Sequence, residues 1–112
     1  MVKPMLDEQQ FRDAADKALN GLQRALEKAS DAHDFDVDNN QGALTIEFED
    51  PPARFVVSPN SPVRQIWVSA RVKSFKLDWD AARNSFVLSD GRDLHKLISD
   101  VMTEQAGESI SL

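Results

Sequence analysis

Asp34, Asp36 and Asp38 alternate with the apolar residues Phe35 and Val37, so three like charges stand two residues apart. Strict alternation of this kind is typical of a half-buried β-strand, whose side chains point to opposite faces. The two apolar residues then face a core and the aspartates form a row on the other face. Neighbouring carboxylates in such a row lie about 7 Å apart, and their repulsion in water costs about 0.6 kcal/mol per pair. A cost this small is offset by even a modest benefit.

Carboxylate oxygens without thiolates suit hard cations such as Ca²⁺, Mg²⁺, Mn²⁺ and iron. Glu27 and Asp31 extend the acidic patch to the end of the preceding predicted helix. A row on a regular strand cannot wrap around an ion, so the sequence predicts shallow, weak and partly hydrated binding. An EF-hand calcium loop is rejected because Asn39 replaces its glycine and Thr45 replaces its bidentate glutamate.

Two other interpretations of the acidic row stay open. A charged edge strand prevents edge-to-edge aggregation, and spacing alone favours this explanation. A row of carboxylates also forms a complementary surface for a basic protein partner.

The second candidate site is an exposed tryptophan on another predicted strand, Gln65–Ala70. If the apolar residues of this strand face the core, Gln65 and Trp67 share the outer face and the indole projects into solvent. Exposed tryptophans of this kind anchor protein interfaces. The alternative is the reversed register, in which Trp67 is a core residue. We expect Trp79 in the core and His95 on a helix surface.

The composition restricts the possible classes of site. The chain has no cysteine, which excludes disulfides, thiolate zinc sites, a cysteine nucleophile and cysteinyl ligation of a cluster. Any metal site therefore uses oxygen ligands, with His33 or His95 as the available nitrogen ligands. Common nucleotide-binding, zinc-protease and serine-hydrolase motifs are absent, so no catalytic constellation is predicted.

Length and charge restrict the class of protein. We expect residues 1–112 to form a single domain, because 112 residues with 41% hydrophobic content suffice for one core. The net charge of -6 argues against nucleic acid and favours cations or basic proteins as partners. The sequence shows neither an apolar run of membrane-spanning length nor a signal peptide, so we expect a cytoplasmic protein without a membrane partner.

Two helices and about six strands are predicted to position these residues. Asp7 and Gln10 form a capping box before an apolar stripe that continues to about residue 29. Alternating strands follow, with a turn at residues 39–42 and a loop at 58–62, and a second helix ends at Gly107. The sequence thus predicts an α+β fold, a two-layer α/β sandwich with two helices packed on one face of an antiparallel sheet of about six strands.

These segments together resemble bacterial frataxin over nearly the whole chain from Phe11 onward. The more specific part is the Pro-x-x-Gln-Ile-Trp block at residues 62–67 with the acidic stretch ahead of it. Further matching segments are residues 42–48, Leu77-Asp-Trp79, Leu94-His-Lys-Leu97 and the closing residues 105–111. The resemblance implies a frataxin-like fold.

The resemblance also implies an iron-binding accessory protein of iron-sulfur cluster assembly, which acts on a cysteine desulfurase and its scaffold protein. In frataxins an acidic ridge binds iron weakly and meets the basic desulfurase, whereas an exposed tryptophan meets the scaffold. The ridge maps here onto Asp16, Glu27, Asp31, Asp34, Asp36 and Asp38. The scaffold contact maps onto Gln65 and Trp67. The resemblance implies a monomer that could also form iron-dependent oligomers.

The sequence departs from the family pattern on the first helix. Gln23, Arg24 and Lys28 stand where bacterial frataxins usually carry acids, so the helical half of the ridge is diluted. We therefore expect weakly bound iron, as Fe²⁺ or Fe³⁺, on the strand half of the ridge, with Asp31 and His33. The alternatives are an iron-oxidising storage protein with ferroxidase activity, for which a single row is poorly arranged, and a metal-independent protein-binding module.

Overall fold

The computed structural model describes residues 7–33, 35–40, 42–49, 52–70, 73–107 and 109–112, so Asp34 lies outside the described residues. The elements follow one another as α1 (Glu8–Ser30), β1 (Asp36–Asn40), β2 (Ala43–Glu49), β3 (Pro52–Asn60), β4 (Gln65–Ala70), β5 (Lys73–Asp80), β6 (Ser85–Val87) and α2 (Leu94–Ala106). One 3₁₀ turn, Ser61–Val63, connects β3 to β4.

The long helix α1 begins at the predicted capping box. The backbone N–H of Gln10 donates to the Asp7 carboxylate at 2.7 Å, and the backbone N–H of Asp7 donates to the Gln10 side chain at 3.0 Å. The buried stripe then follows three- and four-residue steps through Phe11, Ala15, Leu19, Leu22 and Leu26. This spacing keeps the buried side chains on one side of the helix.

The six strands in the described part of the chain pair in sequence order as an antiparallel meander, which confirms the predicted sheet. β3 continues through Pro59 to Asn60, so the prediction of a loop from residue 58 was wrong at this point. The β2 register ends with Leu44 opposite Val57, whereas β4 still pairs with Pro59 and Asn60. Pro59 therefore has a strand neighbour on one side only, where its missing N–H is tolerated.

Both helices pack on one face of the sheet, as predicted, and the core lies between the two layers. Phe11 of α1 meets Phe86 of β6 edge-on at 5.8 Å, and the ring of Phe48 packs at a tilt against Phe35 and Phe55. The inward side chains of the strands and the buried faces of both helices complete this core. The outer face of the sheet, which points away from the helices, carries the candidate site residues of β1 and β4.

The second helix ends at Gly107, as the sequence predicts. The Asp93 side chain caps α2 by accepting from the N–H of Lys96 at 2.8 Å, and Gly107 ends the helix in the left-handed region with φ of 71°. Ile110 is buried and exchanges two hydrogen bonds with the hydroxyl of Thr103. Within the described residues, neither helix has the length and apolar character required to cross a membrane.

Candidate functional site

The strand half of the acidic patch lies on β1, at one edge of the sheet. Asp36 and Asp38 are exposed, whereas Phe35 is buried and Val37 is half-buried, so the alternation predicted for this strand is confirmed for the described residues. Asp36 stands opposite Glu47 of β2, and Glu47 in turn stands opposite Arg54 of β3.

The charges across these three strands partly compensate one another. The guanidinium Nε of Arg54 lies 3.7 Å from a carboxylate oxygen of Glu47, in an exposed ion pair. Such pairs contribute little to stability, about 0–1 kcal/mol. Asp36 therefore faces a carboxylate whose other neighbour is a cation, and the acidic surface of β1 extends onto β2 before it meets positive charge.

The helical half of the patch lies along the flank of α1 next to β1. Asp16, Gln23 and Glu27 follow steps of seven and four residues and therefore share one side of the helix. The Asn39 amide of β1 donates to the Gln23 side chain at 2.9 Å, which fixes this side of α1 beside the acidic strand. Sequence reasoning treated Gln23 only as a lost acid and missed this helix-to-strand contact.

Asp31 and His33 connect the two halves of the patch. Asp31 is the C-cap of α1 and is exposed, and the backbone N–H of His33 donates to the carbonyl of Ala29 at 3.1 Å. The structure thus places Asp16, Glu27 and Asp31 on the helix, and Asp36 and Asp38 on the adjoining strand.

The donor chemistry of this surface suits a hard cation but does not enclose one. Among the described residues, no group of three or more Asp, Glu or His side chains comes close enough to hold a metal ion. An ion on this surface would keep most of its water shell and contact one or two carboxylates, which is typical of weak binding.

The second candidate surface surrounds Trp67 in the middle of the outer sheet face. Trp67 is 38% exposed, which confirms the register with the indole outside. Its Nε1–H donates to the side-chain oxygen of Gln65 at 3.0 Å, and the Gln65 amide donates to Asp78 at 2.9 Å. The ammonium of Lys76 lies 5.0 Å from the centroid of the Trp67 ring, a cation–π distance.

A shallow depression of about 250 Å³ adjoins the indole. Small and short side chains of three strands line it, including Val56, Ser58, Ser69 and Ser74. The indole thus stands above a floor of small residues, and a partner side chain can contact its ring from the side.

The two candidate surfaces share the outer face of one sheet. The ladder that begins at Asp38 on β1 continues through Thr45 and Val56 to Ser69 on β4, two residues beyond Trp67. Three strand spacings of about 4.8 Å separate these strands, or about 14 Å in all. A single large partner or two adjacent partners could therefore contact the acidic strand and the indole together.

A cavity of about 500 Å³ opens between the first half of α1, β6 and the start of α2. Trp79, predicted in the core, packs edge-on against Phe86 at 5.1 Å with its indole half-buried, and it lines this cavity together with His95. Sequence patterns did not predict this cavity, because it forms where three distant segments meet.

An ion-pair network lies at the N-terminal half of α2. Arg92 contacts the carboxylates of Asp90 at 3.0 Å and Asp100 at 3.2 Å, and Lys96 contacts Asp100 at 3.2 Å. Hydrogen bonds from Arg92 hold the pKa of Asp90 below its ordinary value, and the same contacts raise the pKa of Arg92. This network is local to one helix end and lies apart from both candidate surfaces.

Comparison with known proteins gives concordant results from sequence and structure. A sequence model described as a frataxin-like domain matches residues 4–108. The iron-sulfur cluster assembly protein CyaY of Cupriavidus metallidurans is 33% identical over 111 residues, which are 97% of this chain and 98% of that protein. The protein of the same name from Dechloromonas aromatica is 34% identical over 109 residues, covering 96% and 99% of the two chains.

A solved structure of frataxin from Psychromonas ingrahamii has the same fold, with a TM-score of 0.81. The match covers 95% of this chain and 97% of that chain at 20% sequence identity. At this identity the structural match establishes the architecture, and the sequence matches establish the relationship.

Proposed function

Because this chain belongs to the frataxin-like family, whose relatives are iron-sulfur cluster assembly proteins, we propose that it is an iron-binding accessory and regulatory protein of that pathway. The observation that carries the proposal is the shared placement of the exposed β1 carboxylates and the Trp67 indole on one outer sheet face. The absence of cysteine fits an accessory role, because this chain cannot supply thiolates to a cluster.

Iron is the cargo or signal in this proposal, and its ligands are the oxygens of the acidic patch. The proposed ligands are Asp16, Glu27, Asp31, His33, Asp34, Asp36 and Asp38. The strand half carries more of the binding, because Arg24 and Lys28 place positive charge on α1 near Glu27. Shallow carboxylate sites bind weakly and accept Fe²⁺ or Fe³⁺, which suits a protein that must release or sense iron.

Each candidate surface is assigned one partner. The acidic patch, through Asp34 and Asp36, meets the basic surface of a cysteine desulfurase, and the sheet contact, through Gln65 and Trp67, meets the scaffold protein. Charge complementarity supports the first assignment and the exposed aromatic anchor supports the second. The protein acts in the cytoplasm as a monomer, with iron-dependent oligomers as a further state, and contacts neither nucleic acid nor membrane.

A metal-independent protein-binding module is the second candidate function. It is favoured by one observation: within the described ranges, Asp, Glu and His side chains do not gather in groups of three. The same observation disfavours a ferroxidase, which needs carboxylates clustered around two irons or an iron and oxygen.

An anaerobic ¹H–¹⁵N NMR titration with Fe²⁺, with Mg²⁺ as the control for nonspecific charge, tests the iron proposal. We expect resonances of residues 27–38 to broaden at substoichiometric iron while the Trp67 indole stays sharp. The double variant Asp36→Asn/Asp38→Asn should lose this broadening, and Glu104→Gln on the helical layer is the matched control. An identical response to Mg²⁺ would remove iron from the proposed function.

A cluster-assembly assay with the desulfurase and scaffold separates the two candidates. An iron-binding regulator changes the assembly rate in an iron-dependent manner. A metal-independent module binds its partners equally well with and without iron. Catalytic oxygen consumption on addition of Fe²⁺, lost in the Asp36→Asn variant, would instead establish the ferroxidase.

A further inference from the structure

Trp67, Gln65 and Asp78 are joined by a chain of two hydrogen bonds. The indole Nε1–H donates to the Gln65 oxygen at 3.0 Å, and the Gln65 nitrogen donates to a carboxylate oxygen of Asp78 at 2.9 Å. Gln65 and Asp78 are directly opposite each other on β4 and β5, and Trp67 is opposite Lys76 on the same strands. Three residues of two adjacent strands, Gln65, Lys76 and Asp78, thus surround one exposed ring.

The hydrogen-bonding capacities of Trp67 and Asp78 allow only one orientation of the Gln65 amide. The indole nitrogen can only donate and an ionised carboxylate can only accept. Gln65 must therefore turn its oxygen toward Trp67 and its nitrogen toward Asp78. Without the carboxylate, the amide could rotate or turn to water, and the indole N–H would lose its fixed acceptor.

These two hydrogen bonds also determine what a partner must supply. A tryptophan buried in an interface needs an acceptor for its N–H, and an unsatisfied donor costs about 1–3 kcal/mol. Here Gln65 supplies that acceptor from within the protein. The partner can bury the ring without offering a hydrogen-bond acceptor of its own.

We propose that Asp78 is a positioning residue that acts on Trp67 through Gln65, and that the partner group received beside the indole is an apolar side chain. This partner side chain occupies the depression of about 250 Å³ next to the ring, because the serines and Val56 that line it leave room there. Lys76 holds the ring from the other strand through its cation–π contact. This inference rests on the proposed scaffold contact of Trp67.

The position of the ring can be tested in the free protein, without any partner. Hydrogen exchange of the Trp67 indole N–H is measured by NMR in the Asp78→Ala and Asp78→Asn variants. We expect exchange at least about 5-fold faster in Asp78→Ala, because the acceptor loses its anchor. Asp78→Asn should stay within about 2-fold, because its amide oxygen can still accept from Gln65.

One internal reference signal and one control variant make this measurement specific. The indole N–H of Trp79, on the other side of the sheet, should be unchanged in both variants. Glu104→Ala removes one exposed carboxylate from α2 and should leave the Trp67 exchange rate at its wild-type value. Unchanged exchange in Asp78→Ala, or equal acceleration in Glu104→Ala, would overturn the positioning role.

Titration with the iron-sulfur scaffold protein of the source organism tests the partner chemistry. We expect Asp78→Ala to weaken binding about 3- to 10-fold, and Trp67→Ala to weaken it more than about 30-fold. Trp67→Phe should remain within about 5-fold of the wild type, since an apolar partner needs the ring and not its N–H. Equal losses in Trp67→Phe and Trp67→Ala would show that the partner bonds the indole N–H.

The two measurements separate this inference from the proposed function. If wild-type protein fails to bind the scaffold, the proposed contact and the apolar seat are both wrong. The exchange data would still decide whether Asp78 positions Trp67. If the scaffold binds but Asp78→Ala changes neither exchange nor affinity, the proposed function stands and the positioning role is wrong.

Discussion

Asp36 contributes to the acidic surface of β1, but its charge opposes the stability of the sheet at this position. It stands directly opposite Glu47 on an edge strand, and like charges at such positions destabilise a sheet. Asp38, by contrast, is opposite Thr45, which is buried at 8% exposure although it belongs to the outer face. The burial of Thr45 between two neighbouring strands depends on the strand register, which alternation alone does not specify.

We expect Asp36→Asn to raise the free energy of unfolding by about 0.2–0.5 kcal/mol, because it relieves the repulsion from Glu47. Urea unfolding at low ionic strength measures this gain, which should shrink in about 0.5 M salt as the charges are screened. Asp16→Asn, on the exposed flank of α1, is the control and should change stability less. A loss of stability in Asp36→Asn would show that the carboxylate makes a favourable contact in the folded protein.

At the scale of elements, the helices and strands followed from periodicity, but the contacts between them did not. The capping residues Asp7 and Gly107 were identified correctly because cap chemistry is local in sequence. The contact of Asn39 with Gln23 and that of Gln65 with Asp78 join residues that are 16 and 13 positions apart. Their partners depend on strand register and helix placement, which single-residue patterns do not specify.

Gly21 in the middle of α1 is a position where the helix can be improved. A Cβ at this position would meet nothing closer than the Nε2 of His95 at 3.9 Å, an ordinary van der Waals contact. We expect Gly21→Ala to stabilise the protein by about 0.5–1 kcal/mol, because alanine loses less conformational entropy in a helix. Thermal and urea unfolding measure the change.

Gly107→Ala provides the opposite control for this prediction. Gly107 has φ of 71°, a left-handed conformation that a Cβ disfavours by about 1–2 kcal/mol. The same substitution should therefore stabilise the protein at residue 21 and destabilise it at residue 107. Destabilisation by Gly21→Ala would mean that the approach of His95 to α1 cannot accommodate a methyl group.

At the scale of the whole molecule, the sheet separates two roles between its faces. The inner face binds the helices through an apolar core, and the outer face combines an acidic edge with a central indole. Composition predicted the sign of the surface charge, and alternation predicted the face on which each residue lies. The positions of Lys76 and Asp78 beside Trp67 were not predicted, because they required the pairing of β4 with β5.

This separation predicts that the two surfaces make kinetically distinct contributions to partner binding. Charges that are exposed at the rim of an interface act mainly on the association rate, whereas a buried aromatic anchor acts on the dissociation rate. With a net charge of -6, association with a basic desulfurase should slow about 10-fold between low salt and about 0.3 M salt. Its dissociation rate should change little.

Stopped-flow or surface-plasmon kinetics over a salt series measure both rates. Asp36→Asn/Asp38→Asn should slow association at low salt and flatten its salt dependence, because part of the steering charge is removed. Glu104→Gln changes the net charge on the helical layer and should have the smaller effect. Trp67→Ala should leave the salt dependence unaltered and accelerate dissociation from the scaffold. Association rates that are independent of salt would contradict an electrostatic role for the β1 edge and favour its function as a strand edge protected from aggregation.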